Sequence, residues 1–178
     1  MAKVEERDHV DRFLEEEFLE EIPNLDRTVE GIVDRIMGLS RRFKRSLEET
    51  LSEQGLSYVD WKILGALTRK KNPRSAGALA EIAELSSGAM TNRLDRLEEA
   101  GLVRRLDDPE DRRGVLVELT AKGKRAYHDS TGAEAAKEAL ITSALNKREK
   151  AELNTLLRRL MLEFERREDA QEGLTKRG

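Results

Sequence analysis

The sequence predicts a mainly α-helical chain with one small β-hairpin, and three observations carry that prediction. Apolar residues recur at helical spacing through most of the 178 residues. Between residues 86 and 123, an amphipathic stretch runs into two short, partly β-branched segments that flank a charged turn. Aromatics make up 4% and charged residues 39%, which suits long helices with modest cores better than a large globular enzyme.

In chain order, Val10, Phe13, Leu14, Phe18 and Ile22 form a stripe in a Glu-rich run that ends at Pro23, predicting a short extra helix. The next helix starts near Asp26 or Arg27. It carries Val29, Ile32, Val33, Ile36, Met37, Phe43, Leu47 and Leu51 as far as Gly55, about seven turns at 3.6 residues each. Ser57 with Asp60 gives a capping-box-like start to a third helix holding Val59, Trp61, Ile63, Leu64 and Leu67. Asn72-Pro73 then breaks the chain.

Ser75 caps a short helix through Ala78, Leu79, Ala80, Ile82 and Ala83, Glu84-Leu85 turns the chain, and Ser86 caps the next helix. There Ala89, Leu94 and Leu97 with Met90 lie on or beside one apolar stripe, with Ser87, Thr91, Asn92, Arg93 and Arg96 on the polar face. Those side chains suit base edges and phosphates. The helix stops at Ala100-Gly101. Leu102 to Leu106 and Val115 to Leu119 are strand-like, and Asp107 to Gly114 between them is a hairpin tip. A helix for the major groove beside such a hairpin is a winged helix-turn-helix. Thr120 caps a further helix through Tyr127 toward Leu140, with a weak point at Gly132. Asn146 with Glu149 caps the last one, whose Leu153, Leu156, Leu157, Leu160, Met161 and Phe164 form a broad stripe that fades into a frayed end from about Glu168.

The serine-rich cap, Thr91, Leu94, the run LDRLEEAGLV, DPEDRR and LTAKG together resemble the MarR family of winged-helix transcriptional regulators, from about Leu56 to Tyr127. The resemblance implies a homodimer on a pseudopalindromic double-stranded DNA operator, usually as a repressor that small ligands release. It implies three parts: residues 1–55 as N-terminal extension and first dimerisation helix, 56–120 as DNA-binding domain, 121–178 as C-terminal dimerisation helices. Helix faces alone leave an intramolecular bundle equally open.

On this reading Ser87, Thr91, Asn92 and Arg93 face bases, and Arg93 is able to hold a guanine edge with two hydrogen bonds. Arg96 meets phosphate or pairs with Glu99 at i+3. In the wing, Arg113 matches the family arginine of the minor groove, Asp111 the acid that orients it, and Arg112 faces phosphate. Lys62, Arg69, Lys70, Lys71 and Arg74 contain no intervening acid and form either a phosphate-binding edge or a solvated helix end. The family's ligand crevice implies Trp61, Met37, Phe43 and Arg41 as lining residues for a small organic anionic or phenolic effector. A lone Trp on an apolar helix face is more often core. The acidic extra helix resembles that of the urate-responsive members, but this chain has Lys62 where they carry an acid, and no Trp in its extension.

The net charge of −3 hides a division. Residues 1–30 hold four basic and eleven acidic residues, a net of −7, leaving 29 basic and 25 acidic residues, a net of +4, in 31–178. With no cysteine, disulfides, thiolate metal sites and cysteine redox sensing are excluded. His9 and His128 belong to no metal-spaced cluster. There is no apolar leader, and no stretch approaches the roughly 18 apolar residues of a membrane span. The expectation is a cytoplasmic, nucleoid-associated protein without cofactor or metal. It lacks the Gly-rich phosphate loop or G-x-S-x-G elbow of common enzymes. The competing class is a winged-helix protein-interaction module without specific operator binding.

Overall fold

The computed structural model describes residues 7–14, 22, 24–69, 73–109 and 114–175, with side chains described as far as residue 171. The helices are α1 His9–Phe13, α2 Arg27–Glu53, α3 Tyr58–Arg69, α4 Ala76–Ala83, α5 Ser87–Glu99, α6 Ala121–Thr142 and α7 Lys147–Thr175. The strands are β1 Arg74–Ser75, β2 Val103–Asp107 and β3 Val115–Leu119, antiparallel in the order β1-β3-β2. The chain divides into two compact units, Met1–Glu134 and Ala135–Gly178. The division falls inside α6.

Capping chemistry sets most helix starts where the sequence places them. The Asp26 carboxylate accepts from Thr28 N–H at 2.8 Å, Ser75 Oγ from Ala78 N–H at 3.2 Å and Ser86 Oγ from Ala89 N–H at 3.3 Å. Ser57 and Asp60 form a reciprocal capping box, Ser57 N–H donating to Asp60 Oδ2 at 2.8 Å and Asp60 N–H to Ser57 Oγ at 3.2 Å. Asn146 and Glu149 form another.

Several expectations are revised. β1 is an additional strand: Arg74 pairs with Val117 and Ser75 with Leu116, so the hairpin is part of a three-stranded sheet. α6 passes through Gly132 without a break, and α7 continues past Glu168 to Thr175, because residues 168–175 contain no proline and mostly good helix formers. Of the extra N-terminal helix, α1 and Leu14 are described; Phe18 and Pro23 lie outside the described residues, as do Lys70, Lys71 and the wing tip with Asp111, Arg112 and Arg113. α1 docks on α2 through buried Val10 and Leu14 and through Arg35, which reaches both Asp8 and Asp11. The Asp11 N–H and then the Arg35 guanidinium hold the Asp8 carboxyl below its ordinary value.

One core organises the first unit. Leu51 and Leu56 meet Ile63, Leu64 and Leu67 of α3, Leu79 of α4, Met90, Leu94 and Leu97 of α5, and Val103 and Val117 of the sheet. Two apolar stripes stay exposed: Val29, Ile32, Val33, Ile36 and Met37 on α2, and separately Leu153, Leu156, Leu157, Leu160, Met161 and Phe164 on α7.

α5 closes on Gly101, whose φ of +69° suits glycine, with Leu102 N–H donating to Leu97 O at 2.9 Å and Gly101 N–H to Glu98 O at 2.8 Å. Thr120 Oγ1 donates to Gly101 O at 2.7 Å and accepts from Gly123 N–H at 3.0 Å, while Thr120 N–H donates to Leu102 O at 3.1 Å. A Cβ on Gly123 would stand 1.9 Å from Leu102 O, so the first turn of α6 requires glycine there. Gly123→Ala is therefore expected to destabilise the fold by about 3 kcal/mol or more. Denaturant unfolding checks this, and a loss below the scatter of surface substitutions would show that the junction yields easily.

Candidate nucleic-acid interface

α4 and α5 meet at a turn closed by Leu85 N–H donating to Ala80 O at 2.9 Å and Glu84 N–H to Glu81 O at 3.2 Å. Glu84 occupies the left-handed position, φ 58°, where glycine is the usual residue. Its carboxylate accepts from Lys62 Nζ at 2.8 Å, and that hydrogen bond holds it below its ordinary pKa. Lys62 is thus engaged at the turn and leaves the expected basic edge. Arg74 is engaged too: its Nε donates to Ala66 O at 3.2 Å. Arg69 is exposed.

On α5, Met90, Leu94 and Leu97 are buried, which turns the opposite face outward. Ser87, Thr91, Asn92 and Arg96 are all exposed. The Thr91 hydroxyl donates to Ser87 O at 3.0 Å, so toward a ligand it presents acceptor lone pairs. Arg96 forms no ion pair with Glu99 among the described residues, which leaves its guanidinium available.

Arg93 sits differently from its neighbours. Its Nη1 lies 3.4 Å from Asp60 Oδ1, with 29% of the Arg93 side chain and 10% of the Asp60 side chain exposed. The other Asp60 oxygen closes the capping box and accepts from the Ser57 hydroxyl at 2.7 Å. One buried carboxylate therefore fastens the start of α3 to α5, a link that the sequence reading missed because it took Asp60 as a cap alone.

The hairpin is tied to α5 as well. Arg105 of β2 donates through Nη2 to Asp95 Oδ1 at 2.6 Å, through Nη1 to Glu98 Oε2 at 2.6 Å, and through its backbone N–H to Glu98 Oε1 at 3.0 Å. These carboxylates, Asp95 foremost, raise the Arg105 pKa further above its ordinary value. Arg104 pairs with Glu118 across the hairpin.

The residues expected to line a ligand crevice have different surroundings within this chain. The Trp61 ring lies 6.0 Å from Tyr58 and 5.8 Å from Tyr127, and its Nε1–H donates to Thr131 Oγ1 at 3.1 Å, linking α3 to α6. Met37 is exposed and Phe43 half-buried. Arg41 lines a cavity of about 190 Å³ with His9, Val10, Phe13 and Asp34, none of them among the other three. Among the described residues, no group of three or more His, Cys, Asp or Glu side chains is placed to hold a metal ion, and no helix is long and apolar enough to cross a membrane.

Truncating Asp60 tests the link that holds α5. Asp60→Ala removes a cap and leaves Arg93 without its partner, and is expected to cost about 2 kcal/mol. Thermal unfolding measures it, and an unchanged midpoint would show that Arg93 and Ser57 find equivalent partners in solvent.

Comparison with known proteins places this arrangement. Residues 54–114 match the sequence model of the MarR family. The chain is 30% identical over 142 residues to the HTH-type transcriptional regulator PecS of Dickeya dadantii (strain 3937), covering 79% of this chain and 86% of PecS. It is 32% identical over 126 residues to the multiple antibiotic resistance protein MarR of Escherichia coli (strain K12), covering 69% of this chain and 85% of MarR. Among solved structures, that of a mutant MarR from E. coli complexed with operator DNA superposes with a TM-score of 0.56 at 29% identity, covering 80% of this chain and 96% of that one.

Proposed function

The chain belongs to the MarR family, and from that premise we propose that it is a sequence-specific DNA-binding regulator, a repressor that binds a pseudopalindromic operator as a homodimer. The observation that supports this most is the outward polar face of α5, held over the buried Met90, Leu94 and Leu97 and flanked by the β2–β3 hairpin. A helix held in that way presents short donors and acceptors at its exposed N-terminal half, which is the part that enters a major groove.

Ser87, Thr91 and Asn92 take the base edges. Arg93 joins them through the N–H groups that Asp60 leaves unused, since a guanidinium carries five donors. Arg96, Arg112 and Arg74 meet phosphates, Arg74 from the edge strand β1. Arg113, oriented by Asp111, enters the minor groove, where width and A·T content are read instead of a full base code. The exposed stripes of α2 and α7 are apolar surfaces of a size that a second copy would cover. A twofold dimer sets two recognition helices about 34 Å apart, in successive major grooves. A small organic anionic or phenolic effector near Trp61, Met37, Phe43 and Arg41 releases the DNA by changing that separation. The setting is the cytoplasm, at the nucleoid.

Helix and wing are separable by mutation. Arg93→Ala is expected to relax base preference at one position per half-site, at a cost on the order of 1–3 kcal/mol each. Arg113→Ala lowers affinity and alters preference only in the flanking minor-groove segment, and Asp111→Ala is a milder form of it. Quantitative binding to operators substituted position by position, at fixed salt, reads all three. Wild-type binding by Arg113→Ala would reduce the wing to a turn and remove that half of the mechanism.

A further inference from the structure

We propose that Arg105 is the positioning residue of the wing, fixing the angle at which the β2–β3 hairpin leaves the recognition helix so that the two read their grooves as one rigid device. The inference rests on the reading of α5 and the hairpin as the DNA-contacting elements. It adds a residue that need not touch DNA itself.

Strand alternation puts Arg105 on the same sheet face as Val103, and its register partner is the fully buried Val117. An apolar side chain is what that face ordinarily takes. Arginine stands there instead, 29% exposed in its side chain, with its fork divided between two carboxylates one helical turn apart on α5. A planar guanidinium held by two acids, one of which also accepts from the backbone N–H of the same residue, has a defined orientation as well as a position. The hairpin is held along β3 by β1 and by the buried Val117, and two further ties fix it to the end and the face of α5. Its root is tied by Thr120 to Gly101 and Leu102, and its middle is tied by Arg105 to Asp95 and Glu98. The sheet and the core hold the hairpin in the fold, whereas Arg105 ties β2 directly to the recognition helix and so sets the angle between the two. Partly exposed ion pairs contribute little to stability, so geometry is the better account of why three charged groups meet here.

The test uses the full-length protein on an operator selected from random DNA, with substitutions at helix-read positions and in the flanking segments. Arg113→Ala serves as the control for wing contact. Arg105→Met is expected to weaken operator binding about tenfold, to flatten the flank preference, and to leave the penalties at helix-read positions as in wild type. The double change Asp95→Asn with Glu98→Gln breaks the tie from the other side and is expected to give the same pattern, which covers the case in which Arg105→Met folds poorly. Retained flank preference in both tie variants, beside its loss in Arg113→Ala, overturns the inference and leaves the wing reading standing. Equal loss at helix and flank positions also overturns it, since that is the mark of a merely structural residue. Retained flank preference in Arg113→Ala itself overturns the wing reading and the inference together.

Discussion

The recognition helix and the hairpin proposed to read DNA are joined at one place, where the first turn of α6 lies against the end of α5. Leu102 O receives the Thr120 N–H, Gly101 O receives the Thr120 hydroxyl, and Lys122 Nζ donates to Ala100 O at 2.7 Å. The last of these bonds occupies a carbonyl that the C-terminus of α5 leaves open, and a cation is favoured at that end of the dipole. Together the bonds root β2 and β3 side by side and start α6 in the same few residues. Such closeness of backbone to backbone is possible only with no side chain at Gly123. The run LTAKG is thus explained by packing before any role in regulation is considered.

Charge is organised by pairing more than by sum. The overall net of −3 conceals an extension at −7, and part of the chain's basic complement is committed inside the protein: Arg35 to Asp8 and Asp11, Lys62 to Glu84, Arg93 to Asp60, Arg105 to Asp95 and Glu98. These pairs orient elements relative to one another within the first unit. Arg69 and Arg96 are exposed and form no such pair among the described residues, so their charge remains for phosphate.

The helices were legible in the sequence because their starts are decided by groups three residues apart. Asp26, Ser57 with Asp60, Ser75, Ser86 and Asn146 with Glu149 each satisfy N–H groups of their own helix, and the apolar period needs no knowledge of the fold. What escaped reading is non-local. β1 is two residues long and exists because Val117 and Leu116 lie beside it. The partners of Arg93 and Arg105 lie 33 residues and 7 to 10 residues away, and nothing in a list of polar residues on a helix face says which guanidinium turns outward. For the same reason the four residues expected around a ligand were chosen by resemblance, and their surroundings differ: Arg41 lines the α1–α2 cavity, Trp61 packs beside Tyr127, Phe43 is half-buried and Met37 is exposed on α2.

The central claim is that a pair of rigid helix-and-wing devices reads DNA from a twofold dimer. Selecting bound sites from random-sequence DNA tests it most directly. The account predicts an inverted repeat whose half-sites lie about 10 base pairs apart from centre to centre, each with a base-specific core and an A·T-biased flank. Recovery of single, unrepeated sites, or of no common sequence at all, would contradict it.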